Sequence, residues 1–123
     1  MRACRRVLKP GGRIAYYNIF VTEELSDDAR RQAGKVRPGT YTPAQQRGLL
    51  RSAGFTRIRE TDVTAEFERV QRALYEAALR HERALRRLQG DEGFEQRQAG
   101  RQESLRGLAE GVLRRSLFVA ERP

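Results

Sequence analysis

Apolar and polar positions alternate unevenly along this chain, and each change of rhythm predicts a change of element. Cys4, Val7 and Leu8 lie on one side of the opening stretch, as the last turns of an amphipathic helix would place them. Lys9-Pro10-Gly11-Gly12 then predicts a type II turn, because Pro10 fixes φ at the first central position and Gly11 accepts the positive φ of the second. Ile14 to Val21 is almost continuously apolar, the pattern of a strand buried on both faces of a parallel sheet. Asn18 alone interrupts it.

From Thr22 to Tyr41 the rhythm is lost, except for a short helical piece with Ser26 as N-cap, Asp27 and Asp28 in its first turn, and Gly34 as its stop. A connection of this length often covers a site. Thr42-Pro43-Ala44-Gln45 reads as a capping box with proline at the first helical position. Leu49, Leu50 and Ala53 follow at helical spacing, and Gly54 closes the helix. Phe55 to Val63 mixes Phe55, Ile58 and Val63 with Arg57, Arg59 and Glu60, as a peripheral strand does to discourage pairing with other chains.

Thr64 is positioned to cap one long helix, in which Phe67, Val70, Leu74, Ala77, His81, Ala84 and Leu88 recur every three or four residues. Glu68 with Arg72, Glu76 with Arg80 and Glu82 with Arg86 lie four apart on the other face, each pair contributing about 0.3 kcal/mol in an isolated helix. After Gln89 to Gly93 a second helical stretch carries Leu105, Leu108 and Val112 as its stripe, weakened by Gly100, Gly107 and Gly111. Leu113 to Ala120 ends on Leu117-Phe118-Val119-Ala120, another strand apolar on both faces.

Composition narrows the function classes. A chain of 123 residues that is 38% apolar supports one domain with a modest core. Its net charge of +9 points toward nucleic acid, since a basic surface gains affinity by releasing counterions. Only Lys9 and Lys35 are lysines, however, and the arginines are scattered among glutamates instead of gathered into a block, so a solvated arginine-rich surface is the favoured reading. The single cysteine, Cys4, forms no internal disulfide and reads as a small apolar residue. No run is long and apolar enough to span a bilayer or act as a secretory signal, which predicts a cytoplasmic protein without a membrane partner.

The order of landmarks carries a resemblance. A helix end, Leu8-Lys9-Pro10-Gly11-Gly12, a buried strand, a long loop, a capped helix, Ala53-Gly54-Phe55, a strand and a final buried strand together resemble the C-terminal part of a class I S-adenosylmethionine-dependent methyltransferase. In that family a leucine-lysine-proline-glycine-glycine turn precedes the fifth strand and an alanine-glycine-phenylalanine step introduces the sixth. The seventh strand runs antiparallel between those two. The resemblance therefore implies an α/β fold: the C-terminal portion of a doubly wound, Rossmann-like sheet, with about three strands and a helical insertion before the last. It implies a single partial domain over residues 1–123, with residues 64–114 as the insertion and as a lid over substrate. It also implies methyl transfer from S-adenosylmethionine to an acceptor, a small molecule, by in-line attack on the sulfonium methyl with both reactants held in position.

The family cradles its cofactor with a glycine-rich turn after its first strand and an acidic residue after its second, and this sequence matches neither. Gly11-Gly12 precedes a strand, whereas a nucleotide-binding turn follows one and opens a helix. The cofactor thus belongs to a complete enzyme rather than to this chain. The interior strand Ile14 to Val21 also lacks a neighbour on one edge, predicting association through that edge. The rival reading is a small basic α/β module that binds nucleic acid without catalysis.

In open α/β sheets ligands bind beyond the carboxyl ends of the parallel strands, which selects Tyr17, Asn18, Phe20 and the loop end at Tyr41 as substrate-proximal candidates. Asn18 is either a structural amide with its own partner or a substrate contact. Tyr16 and Tyr17 are core or pocket wall. His81 is either a structural residue of its stripe or a base toward a hydroxyl or amine. No metal-ligand constellation and no assignable catalytic residue stand out.

Overall fold

The computed structural model describes residues 1–22 and 41–123. The helix expected around Ser26, Asp27, Asp28 and Gly34 lies outside the described residues. Among the described residues eight elements follow in order: α1 (Arg2–Val7), β1 (Arg13–Val21), α2 (Pro43–Ser52), β2 (Thr56–Asp62), α3 (Thr64–Arg80), α4 (Glu82–Gln89), α5 (Asp91–Ala109) and β3 (Leu113–Glu121). The strands form one sheet in the order β1-β3-β2, with β3 antiparallel to both neighbours. β1 and β2 are therefore parallel, and the last strand runs against them from between.

Local chemistry sets the joints of the sheet. Gly11 has φ +79° and the Gly12 amide donates to the Lys9 carbonyl at 2.8 Å, closing the type II turn. A Cβ on Gly12 would stand 2.8 Å from that carbonyl. The Gly11 amide donates to Arg122 O, and the Arg122 amide donates to Gly12 O, so the turn is stitched to the end of β3. The Arg122 guanidinium donates to the Arg5 and Leu8 carbonyls, satisfying orphan acceptors at the end of α1.

α2 starts and stops by side-chain and glycine caps. Thr42 Oγ1 accepts from the Gln45 amide and the Thr42 amide donates to Gln45 Oε1, completing the capping box. At its end Gly54 takes φ +86°, its amide donates to Arg51 O, and the Phe55 amide donates to Leu50 O. That is the Schellman pattern, and Phe55 packs in the same cluster as Leu50. α5 ends in the same way, with Gly111 at φ +72°, its amide on Leu108 O and the Val112 amide on Gly107 O. Gly111 thus ends this helix from outside rather than weakening it. Gly107 gives Leu113 room, since a Cβ there would meet Leu113 Cβ at 3.2 Å.

The two faces of the sheet are covered differently. On one face Ile14, Tyr16 and Ile58 pack with Leu50, Ala53, Phe55, Phe118 and Ala120 beneath α2. On the other, Ile19 joins Phe67, Leu108 and Leu113 under α3 and α5. β1 is consequently not buried on both faces as its apolar run predicts. Tyr17 is 54% exposed, because the helices reach only the Ile19 end of that face among the described residues. β1 is also an edge strand, with one side unpaired among the described residues.

The single long helix predicted from Thr64 through Leu88 is broken. α3 stops at Arg80 and α4 begins at Glu82, with His81 between them at φ −110°, ψ 22°. Thr64 is not its N-cap; Val63 holds that position. Instead the Thr64 amide donates to Asp62 Oδ1 at 2.9 Å, and Thr64 Oγ1 accepts from the Arg115 amide at 3.1 Å. The buried side of α3 is also rotated from the predicted stripe: Phe67 and Ala78 are buried, whereas Val70 and Leu74 are 45% and 46% exposed. The cause is the partner, α5, which offers Phe94, Gln98, Ser104 and Leu108 inward and so selects a mixed face. Gln98 Nε2 donates to Tyr75 O and Gln102 Nε2 to the Tyr75 hydroxyl. Of the three predicted ion pairs, Arg72 meets Glu68 at 2.8 Å and Arg86 meets Glu82 at 3.2 Å.

Candidate functional site

β1 and β2 are parallel, so their carboxyl ends share one rim, and this rim is where an open α/β sheet places ligands. The chain leaves β2 there into α3 and returns from α5 into β3, so the helical insertion rises from the same rim. Thr22 closes it beside β1: its amide donates to Val112 O at 2.9 Å, and its hydroxyl donates to Gly111 O.

On the α2 face the rim carries a closed polar chain. The Tyr16 hydroxyl donates to Gln46 Oε1 at 2.9 Å, Gln46 Nε2 donates to Asn18 Oδ1 at 3.2 Å, and Asn18 Nδ2 donates to the Tyr41 carbonyl at 3.0 Å. Asn18 and Gln46 are both only 8% exposed. A buried amide is costly unless both its ends are paired, and both ends of Asn18 are. Asn18 therefore holds the chain at Tyr41 against β1. Tyr16 stacks on Phe118 with centroids 5.6 Å apart, and burial pushes its phenol above the ordinary range. A second chain runs from Ser116 Oγ, which donates to Glu60 Oε1 at 2.9 Å, to Arg47, which pairs with the same carboxylate.

Asp62 marks the start of the insertion. Burial raises its pKa, but the Thr64 hydrogen bonds and Arg114 outweigh that and hold the carboxyl below the usual range. Its carboxylate satisfies the first orphan amide of α3.

The structure separates the predicted site residues. Asn18 and Phe20 face α2, whereas Tyr17, one position before Asn18, faces the opposite side. The Tyr41 side chain is half exposed near the start of α2. His81 stands at the other end of α3, whose 17 residues advance about 25 Å from the rim. It is exposed and lines an open depression of about 320 Å³ with Arg80, Arg83, Ala84 and Arg87. It is not on a buried stripe, and no described side chain hydrogen-bonds it. A second arginine-lined depression, about 440 Å³, lies between Arg2, Arg5 and Arg6 of α1 and Ser52-Ala53. Among the described residues no three His, Cys, Asp or Glu side chains gather as metal ligands, and no helix is long and apolar enough to cross a membrane.

Sequence reasoning missed Gln46 and Arg115. Gln46 lies 28 positions from its partner, with no local signal beyond its place on the inner face of α2. Arg115 had one: like Asn18, it is a polar residue inside a strand that ends in an apolar run. Its guanidinium carbon lies 3.6 Å from the Tyr17 ring centroid and 5.0 Å from that of Phe67.

No family model and no curated protein matches the sequence, but solved structures match the fold closely. Phosphoethanolamine N-methyltransferase 2 of Haemonchus contortus, in complex with phosphomonomethylethanolamine and S-adenosylhomocysteine, superposes with a TM-score of 0.82 at 18% identity, over 99% of this chain and 29% of that one. A chain described as a sarcosine dimethylglycine methyltransferase from Galdieria sulphuraria gives 0.84 at 14% identity, over 98% and 45%. The cyclopropane synthase MmaA2 of Mycobacterium tuberculosis gives 0.76 at 17%, over 98% and 47%. This chain has the fold of part of an S-adenosylmethionine-dependent methyltransferase. It spans less than half the length of each of these three methyltransferase-fold chains. The three strands and the helical insertion before the last of them, both expected from the sequence landmarks, are present. The residues here do not fit the cofactor's glycine-rich cradle, because the amides of Gly11 and Gly12 are already spent on Arg122 O and Lys9 O.

Proposed function

We propose that this chain is the C-terminal part of an S-adenosylmethionine-dependent methyltransferase acting on a small-molecule acceptor. The observation that carries the reading is the edge of β1 left unpaired among the described residues, in a sheet that matches a minor share of whole methyltransferase chains. A nine-residue strand with one unpaired edge expects a neighbour, and a preceding polypeptide with the cofactor-binding strands would supply it. The complete protein brings S-adenosylmethionine, whose sulfonium methyl is the group transferred. This chain contributes closure of the sheet, through β2 and β3, and a wall for the acceptor, through the insertion at residues 64–114 and the rim near Tyr17 and Tyr41. Asn18 and Gln46 act by position, fixing where the connection meets α2.

Several arginines are engaged locally. Arg13, Arg47, Arg57, Arg72, Arg86 and Arg114 all sit within ion-pair distance of carboxylates, and Arg122 is folded onto α1. These pairs leave the net charge of +9 unchanged, since that figure already subtracts the carboxylates, so a steep fall of nucleic-acid affinity with salt would favour the rival reading.

The test is a calorimetric titration of S-adenosylhomocysteine into the chain alone and into the chain joined to the polypeptide encoded upstream of Met1. The proposal expects no binding by the first and saturable binding by the second. Binding by the chain alone, or by neither, would overturn it.

A further inference from the structure

Arg115 is the most unusual cation of the rim. Its backbone is fixed on both sides: its amide donates to Thr64 Oγ1 at 3.1 Å, and its carbonyl accepts from the Val63 amide at 2.9 Å. Its side chain crosses the sheet face toward β1, where it stacks 3.6 Å from the Tyr17 centroid, with Phe67 at 5.0 Å. Two aromatic faces partly replace the water a guanidinium loses. They offer no acceptor in the plane of its N–H groups. Nε is shielded from solvent without a hydrogen-bond partner, and no described carboxylate lies within ion-pair distance, although six other arginines have found one.

A guanidinium held between two rings, with Nε closed off from solvent and its Nη groups neither shielded in that way nor hydrogen-bonded among the described residues, can offer those two Nη groups side by side to a planar anion. Its place strengthens the case. Arg115 pairs with Ile19 near the carboxyl end of β1, on the face where Tyr17 remains open and at the foot of the insertion. We propose that Arg115, flanked by Tyr17, is the anchoring subsite for an anionic group, a carboxylate or phosphate, of the methyl acceptor. The inference rests on the methyltransferase reading for the word acceptor, and on the geometry of Arg115 alone for the anion.

The experiment follows the Arg115 Nε–Hε resonance in nitrogen-15-labelled full chain, assigned by its loss in Arg115→Lys, during titration with sodium phosphate, sodium acetate and sodium chloride. Phosphate or acetate, whichever matches the acceptor, is expected to move the resonance to saturation, with chloride giving no saturating shift. Arg115→Met should weaken that anion at least about tenfold, while Arg83→Met at the exposed hairpin tip leaves it unchanged. If neither anion moves the resonance, Arg115 serves packing alone and the inference fails. Should Arg115→Met not fold, the wild-type titration still decides. Loss of the anion response with S-adenosylhomocysteine binding intact in the extended protein would defeat only this inference; the reverse would defeat only the methyltransferase reading.

Discussion

The sheet with α2 and the hairpin of α3, α4 and α5 are held together by different physics. Beneath α2 the contacts are apolar and closed: Leu50, Phe118 and Ala120 have no exposure at all. In the hairpin the buried set includes Gln98 and Ser104, and the joint between α4 and α5 turns on one side chain, Arg86. Arg86 reaches Glu82, Asp91 and Glu95 and lies 4.5 Å from the centroid of the Phe94 ring. Apolar burial scales with area and tolerates salt, whereas exposed ion pairs are weak and screened. The sheet side is therefore the scaffold, and the hairpin is the less firmly held part.

Phe118→Ala tests the scaffold most severely. Removing a fully buried ring that stacks on Tyr16 should cost about 3–5 kcal/mol, read as a shift of the denaturant midpoint at fixed protein concentration. A loss below about 1 kcal/mol would mean that the α2 face is not the core. Gly54→Ala comes next, at about 1–2 kcal/mol, because it forces a side chain onto φ +86° and against Arg5 Nε at 3.0 Å. Thr42→Ala should cost about 1 kcal/mol by opening the capping box.

On the hairpin side, Arg86→Met should leave the global midpoint nearly unchanged while amide exchange in α4 accelerates, more so than salt alone accelerates it in the parent. Uniform loss of protection across β3 would erase the distinction between the two regions. Asp62, at their junction, has a folded pKa below its unfolded one, so its contribution is present above the unfolded value and is lost as pH falls through the folded value. Asp62→Asn should flatten that acidic slope of stability. An unchanged slope would show that the carboxylate does not anchor α3.

Legibility followed the same divide. The type II turn at Pro10-Gly11, the capping box at Thr42 to Gln45 and the stop at Gly54 are short-range chemistry, and each stands where its residues predict. The break at His81 and the rotated face of α3 were not readable, because the partner decides which face is buried and α5 presents Gln98 and Ser104 between Phe94 and Leu108. Apolar periodicity selects the oiliest stripe, and here that stripe is buried at Phe67 but turns outward at Val70, Leu74 and Leu88, the last 83% exposed. Asn18 could be recognised as needing a partner. Which partner it found, Gln46 and the Tyr41 carbonyl, depended on a fold-scale approach of β1 to α2.

If this chain is the C-terminal part of a longer protein, as proposed, the edge of β1 that is unpaired among the described residues is where further strands would add. Sedimentation of the chain over a concentration series, with a thermal melt at each concentration, tests it most directly. Species larger than a monomer and a melting midpoint that rises with concentration are expected, as edges pair between copies. A monomer with one sharp, concentration-independent transition would contradict it.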